Sequence, residues 1–336
     1  MGRRLVSACL AVLAAASLLA GCGGSGDRLT IYSGRTENLV RPLLERFSEE
    51  SGIGIDVKYG DSADLALLID EEGSRSPADV FLSQSPGALG YLTAQGRLRP
   101  LDPAVLGLVD ATAENRSGHW VGVSGRLRVL VYNTDLVPAA DLPRSVLDLT
   151  QPRYAGQVAV APTNGSFQDF VTALRLLTGD DATLAWLRGL KANGVRAYAN
   201  NNAIVEAVGR GEVPMGLVNH YYNYRAKAED PDLPTANHVF PDGDVGALLI
   251  VSAVGVLETA DDGDAAARFV RFLLSEEAQE YLRDETFEYP LAAGVVPAPG
   301  LPPLDGITRP EVDLDRLGGG LTRTQQLIGE SGLEGG

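Results

Sequence analysis

The chain has 336 residues, 44 acidic against 28 basic side chains, and a formal charge of −16. A field that negative excludes nucleic acid and anionic membrane surfaces as partners held by overall charge, and two cysteines exclude a sulfur-stapled fold. The length exceeds what one hydrophobic core normally serves, so two lobes are expected.

The first element is a targeting segment. Met1-Gly2-Arg3-Arg4 is a basic start, Leu5 to Leu18 is apolar, and Leu19-Ala20-Gly21-Cys22 is a small-residue processing site ending in cysteine. It resembles the bacterial lipoprotein signal, which implies removal of residues 1–21, lipidation of Cys22 and a location on the outer face of the cell membrane. Cys9 leaves with the signal, so the mature chain has no intrachain disulfide and no Cys-based metal site. Its charge becomes −18 as Arg3 and Arg4 leave, and residues 22–27 form a flexible tether.

Strand-like and helix-like segments then alternate, which predicts an α/β architecture with mostly parallel sheets. Leu29 to Tyr32 is a short strand, and Glu37 to Ser51 carries a helical apolar stripe at Leu39, Val40, Leu43, Leu44 and Phe47. Strand Ile53 to Tyr59, helix Ser62 to Glu72, strand Asp79 to Leu82 and helix Gly87 to Gln95 follow. Further strands are expected at Val121 to Val123, Leu127 to Tyr132, Val158 to Val160, Val213 to Val218 and Val245 to Val256. Helices are expected at Phe167 to Leu177, Asn202 to Gly209, Tyr221 to Lys227, Asp264 to Leu274 and Glu276 to Leu282.

Two junctions have the makings of anion sites. Pro162-Thr163-Asn164-Gly165-Ser166 and Asn200-Asn201-Asn202 each lead into a helix, whose free N–H groups and dipole favour a small anion. Either is equally a plain helix cap. The tract Asn219-His220-Tyr221-Tyr222-Asn223-Tyr224-Arg225 places three phenols within four residues after an apolar strand. A free phenol keeps its proton to about pH 10, and a metal cation is the usual agent that strips it. The tract therefore points to Fe(III), or to the aromatic wall of an ordinary ligand cleft.

Glu71 to Phe81, Ser124-Gly125-Arg126 with Val129 to Asn133, Pro162 to Phe167 and Tyr221-Tyr222 resemble, in order and spacing, the periplasmic ferric-ion-binding proteins of ABC importers. The resemblance runs from about Leu29 to near the C-terminus. It implies a two-lobed periplasmic-binding-protein type II fold with a two-strand hinge, in which Fe(III) is captured between lobes and passed to an ABC transporter permease. One lobe would comprise residues 28–126 and 250–300, the other 127–249 and 301–336, in a monomer. Tyr221 and Tyr222 match the family's adjacent iron-binding tyrosines. Thr163, Asn164, Gly165 and Ser166 match its anion-holding helix start, and Asn201 and Asn219 match asparagines near an anion such as carbonate or phosphate.

The chain also departs from the family pattern. Thr36 stands where many members carry histidine, and Gln84 where they carry glutamate. Tyr32, Tyr224, Glu37 or His220 could replace these ligands, and Arg35 and Arg126 could steady the anion by charge-assisted hydrogen bonds. The rival reading is a binding lipoprotein for a small organic or oxyanionic solute on the same scaffold. A hydrolase is disfavoured: there is no Gly-x-Ser-x-Gly elbow, no His-Glu-x-x-His pair, and none of the three histidines sits in a triad context.

Overall fold

The computed structural model describes residues 28–109, 113, 116–317 and 320–333; the expected signal and Cys22 lie outside the described residues. The first units are β1 (Arg28–Ser33), α1 (Glu37–Ser51), β2 (Gly54–Tyr59), α2 (Ser62–Glu72), β3 (Val80–Ser83) and α3 (Pro86–Ala94). Helix α1 forms because Val40, Leu43, Leu44 and Phe47 make one buried stripe, and it stops at Gly52, whose φ of 73° suits a residue without Cβ. A four-residue α4 (Pro103–Leu106) precedes β4 (Trp120–Asn133), a strand of 14 residues.

The second run is β5 (Val158–Val160), α5 (Gly165–Thr178), α6 (Asp180–Ala192), β6 (Arg196–Ala197), α7 (Asn201–Gly209), β7 (Met215–Asn219), α8 (His220–Glu229) and β8 (Thr235–His238). The chain then forms β9 (Leu249–Val256), α9 (Gly263–Leu273), α10 (Glu276–Thr286), β10 (Tyr289–Pro290) and finally α11 (Leu321–Ser331).

The strands follow the order β2-β1-β3-β9-β4-β7-β5-β6, and β4 belongs to both halves of that path. From Trp120 to Leu127 it pairs with β9; from Arg128 to Asn133 it pairs with β7 on one side and β8 on the other. Leu29, Ile31, Phe47 and Phe269 fill a core on the β1 side, whereas Phe167, Phe170, Trp186 and Leu190 fill one on the β7 side. A third cluster, with Leu89, Trp120, Leu127, Val129 and Ile204, runs across both, and the C-terminal segment reaches from it to the β7-side core. Trp120 Nε1 donates to Asp315 Oδ1 at 2.8 Å, while Thr172 and Thr324 join α5 to α11 through hydroxyls 2.7 Å apart. Among the described residues no helix is long and apolar enough to cross a membrane.

Several expectations are corrected. The sheets are mixed rather than mostly parallel: β1 is parallel to β2 and β3, and β5 to β6 and β7, but every pairing of β4 and β9 is antiparallel. These two strands enter their neighbours from the other group of units and so run against them. The strands expected at Val121 to Val123 and Leu127 to Tyr132 are one, because Ser124-Gly125-Arg126 stays in the ladder. The stretch Val245 to Val256 is divided, since Asp244 accepts from Gly246 N at 2.8 Å and starts a 3-10 turn before β9. Helices α6 and α11 and strand β8 lie outside the expected set.

Candidate functional site

The switch of β4 between its two sets of partners brings the predicted residues together. Arg128 lies opposite Asn219 in the register of β4 and β7. Asn219 ends β7, and the chain turns directly into α8, so Tyr221 and Tyr222 project from that helix's first turn. Their rings stack with centroids 4.2 Å apart. Tyr221 is buried, and burial followed by the charge of Tyr222 pushes its phenol well above its ordinary pKa, although Arg126 pulls it down. Tyr221 without a metal therefore keeps its proton, and only a strong cation with help from Arg126 would ionise it.

Helix α5 starts at Gly165, with Asn164 as its cap: Asn164 Oδ1 accepts from Ser166 N at 3.2 Å and from Ser166 Oγ at 2.6 Å. Asn201, the first residue of α7, donates through Nδ2 to Asn164 Oδ1 and Ser166 Oγ, each at 3.2 Å. Arg128 Nη1 donates to Asn219 Oδ1 at 3.1 Å and to Ser166 Oγ at 3.4 Å. Both anion junctions and the phenol tract thus meet through Arg128. Gly165 fits the rim of this site, since a Cβ there would meet nothing within 4 Å, and Thr163 is exposed in the loop ahead of it.

Arg128 is the residue that the sequence reading missed. It is buried, yet Nε and Nη2 lack partners, as do Arg126 Nε and Asn201 Oδ1. Burial lowers the Arg128 guanidinium to about 10 against the pull of Tyr222, Asp169 and Tyr221. Orphaned polar atoms of this kind are rare in folded proteins because each costs about 1–3 kcal/mol, and the three guanidinium donors among them mark a place for an acceptor, while Asn201 Oδ1 lacks a donor. The available signal was the pair Arg126 and Arg128 in an apolar strand: alternation puts both cations on one face. Arg126 also donates through Nη2 to the carbonyl of Gln84, and with the Gln84 amide oriented to satisfy its neighbours, Oε1 accepts from Arg126 Nη1 at 3.3 Å.

Other expected residues lie elsewhere. The Tyr32 hydroxyl donates to Glu72 Oε1 at 3.0 Å under the Lys58 ammonium, and burial followed by the Glu72 hydrogen bond lifts it to about 12. Tyr32 is a packed strand residue turned to α2 rather than to the phenol pair. Arg35 is close enough to feel Tyr221 and Tyr222, but Nη1 donates to Ser252 Oγ and Nη2 to Glu288 Oε1, both at 2.8 Å. His220 accepts at Nδ1 from Leu127 N at 3.1 Å and pairs through Nε2 with the Phe287 carbonyl at 2.8 Å, so both nitrogens are used. Tyr224 donates to the Gly300 carbonyl at 2.7 Å, and Glu37 pairs with Arg41 at the exposed start of α1. Among the described residues no group of three or more His, Cys, Asp or Glu side chains could hold a metal.

Two strand groups joined through β4, with a phenol and guanidinium cluster at the switch, define a two-lobed α/β ligand-binding protein of the periplasmic type II fold. Residues 75–315 match the family described as bacterial extracellular solute-binding protein, and the chain belongs to that family. It is 34% identical to the Fe(3+)-binding periplasmic protein of Serratia marcescens over 330 residues, covering 96% of this chain and 97% of that protein. The crystal structure of iron-bound HitA from Pseudomonas aeruginosa aligns with a TM-score of 0.84 at 36% identity, covering 91% of this chain and all (100%) of that one. A Trichodesmium protein, IdiA or FutA, in complex with iron and citrate, aligns with a TM-score of 0.80 at 26% identity over 91% of this chain and 99% of its own.

Proposed function

We infer that this chain is an extracytoplasmic solute-binding protein that captures Fe(III) and delivers it to an ABC importer, and that it is not an enzyme. The carrying observation is the stacked Tyr221 and Tyr222 pair set against Arg126 and Arg128, whose unpartnered N–H groups await an acceptor. Two phenolates leave a trivalent ion short of charge and of donors. An anion placed between the metal and Arg128, Ser166, Asn201 and Asn219 would supply both. Carbonate and phosphate suit the size of that network, and the relatives named for iron support the cargo. Arg35 acts in this reading through Glu288, and Tyr32 is left out of the ligand set.

The hinge is assigned to the Leu127 to Arg128 step of β4 and the turn before β9, dividing the chain into residues 28–126 with 250–300 and residues 127–249. The tail, residues 301–336, is grouped with the second lobe, and its Asp315 also reaches Trp120 in the first. Lipidation of Cys22 would anchor a monomer to the outer face of the membrane. Because Arg126 belongs to the first lobe and the tyrosines and Arg128 to the second, a ligand that engages both would give the closed form binding energy that the open form lacks.

The test is a visible spectrum of metal-stripped protein given ferric citrate in carbonate or phosphate buffer. A broad phenolate-to-iron absorption band is expected, and Tyr221→Phe with Tyr222→Phe should abolish it. Retained colour in the double variant would remove these phenols from the site. The orphaned guanidinium donors also favour a second reading, a metal-independent oxyanion carrier; tight oxyanion binding with no ferric band under any buffer would select it.

A further inference from the structure

One residue of the cluster has the wrong charge for an anion pocket. Asp169 stands one helical turn beyond Ser166 on α5, and side chains three apart on a helix are neighbours. Its carboxylate lies in the fields of Arg126 and Arg128, and Oδ1 accepts from Ser85 Oγ at 3.1 Å, from the turn ahead of α3 on the opposite side of the cleft. The buried groups on β4 that lack a partner are donors: Arg126 Nε, Arg128 Nε and Arg128 Nη2. An ionised carboxylate beside them only accepts.

An oxyanion that engages these guanidinium groups therefore stands against a like charge. If it has lost all its protons, it turns only lone pairs to Asp169. If it keeps one, it donates a hydrogen bond there while its other oxygens take the arginine donors. We propose that Asp169 is a specificity-determining residue: among oxyanions of similar size it admits those that carry a donor hydrogen, such as hydrogen phosphate or bicarbonate, and refuses sulfate. This builds on the anion-assisted ferric reading above, but it is tested without iron.

Acid should relax the refusal. Burial lifts the Asp169 carboxyl to about 6, against the pull of Arg126, the Ser85 hydrogen bond and Arg128. The charged groups facing it are Arg126 and Arg128 on β4; Ser85 from the other side is neutral. Below pH 6 the carboxyl becomes a donor, and sulfate, whose own charge is constant from pH 5 to 8, should be accepted.

Titration calorimetry of the full-length, metal-free protein with sodium phosphate and sodium sulfate at pH 7.5 and 5.0 tests this. The wild type should bind phosphate at least about tenfold more tightly than sulfate at pH 7.5, the scale of one buried polar mismatch. Sulfate affinity should rise about tenfold at pH 5.0. Asp169→Asn, whose amide can donate, should bring the two anions within about threefold at either pH. The wild-type pH series stands alone if that variant does not fold. Equal binding of the two anions by wild type at pH 7.5, a preference unchanged in the variant, or no binding of either anion with or without Fe(III) overturns the proposal. An intact anion preference without any ferric band overturns the iron reading and leaves the role of Asp169 standing.

Discussion

Arg128 holds a guanidinium where hydrocarbon would be easier to bury. Its Nε and Nη2 are unpartnered, and a buried cation carries a desolvation penalty of several kcal/mol that an apolar side chain of similar length escapes. Arg128→Met should therefore raise the thermal midpoint of the metal-free protein while weakening anion-assisted Fe(III) binding by about tenfold or more. Melting curves and a spectral titration on the same samples check both halves; a variant that is less stable and binds normally would make Arg128 a packing residue. At this scale the sequence was partly legible. Tyr221, Tyr222, Asn201, Asn219 and Ser166, which the structure gathers into one cluster, stood out because helix starts and clustered phenols carry local signals. Arg128 and Asp169 were not, since a charge in an apolar strand and a carboxylate on an amphipathic helix look ordinary until the fold brings their charges together. Tyr32 misled for the complementary reason: nothing local announces that Glu72, forty residues on, takes its hydroxyl.

The short strand β10 joins elements that share no sequence neighbourhood. Just ahead of it, Glu288 pairs with Arg35 at 2.8 Å and accepts from Ser124 Oγ on β4, with Arg35 and Glu288 both buried. The Arg35 charge, and after it that of Arg126, holds the Glu288 carboxyl below its usual range despite burial. Glu288→Gln keeps the shape and leaves Arg35 without its counter-charge, so a loss of about 3 kcal/mol is expected. Denaturant unfolding measures it, and a loss under about 1 kcal/mol would show that Ser252 suffices as a partner for Arg35. Most elements were legible from periodicity, including α1 and the units around β1. The antiparallel course of β9 was not, because strand direction depends on which half of the molecule supplies the neighbour. The continuity of β4 was hidden by Gly125, which reads as a break; its missing side chain in fact makes room, since a Cβ there would lie 3.2 Å from Tyr289 Cβ and 3.0 Å from Leu249 Cδ1.

Over the whole molecule, the C-terminal segment fastens the central cluster around Trp120 to the core on the β7 side. Leu327 and Ile328 are fully buried beside α5 and α6, while the Asp315 region lies on α3 and receives the Trp120 indole hydrogen bond. Leu327→Ala should cost about 2–4 kcal/mol as a cavity-forming change, read as a shift of one cooperative unfolding transition. Two separated transitions in the wild type would mean that this fastening does not couple the halves. Two lobes were foreseeable from length alone, but the fastening was not, because the tail carries no strand pattern and its partners are distant in sequence. Strand β4 has a mechanical meaning at this scale. It runs unbroken through both strand groups and carries Arg126 and Arg128 on either side of the point where its neighbours change. Any rotation of one group against the other must wring the strand there and tilt the two guanidinium groups apart. With the hinge and anion site proposed above, grip and axle are the same few atoms, so loosening the hold on an anion and swinging the jaws open would be one movement.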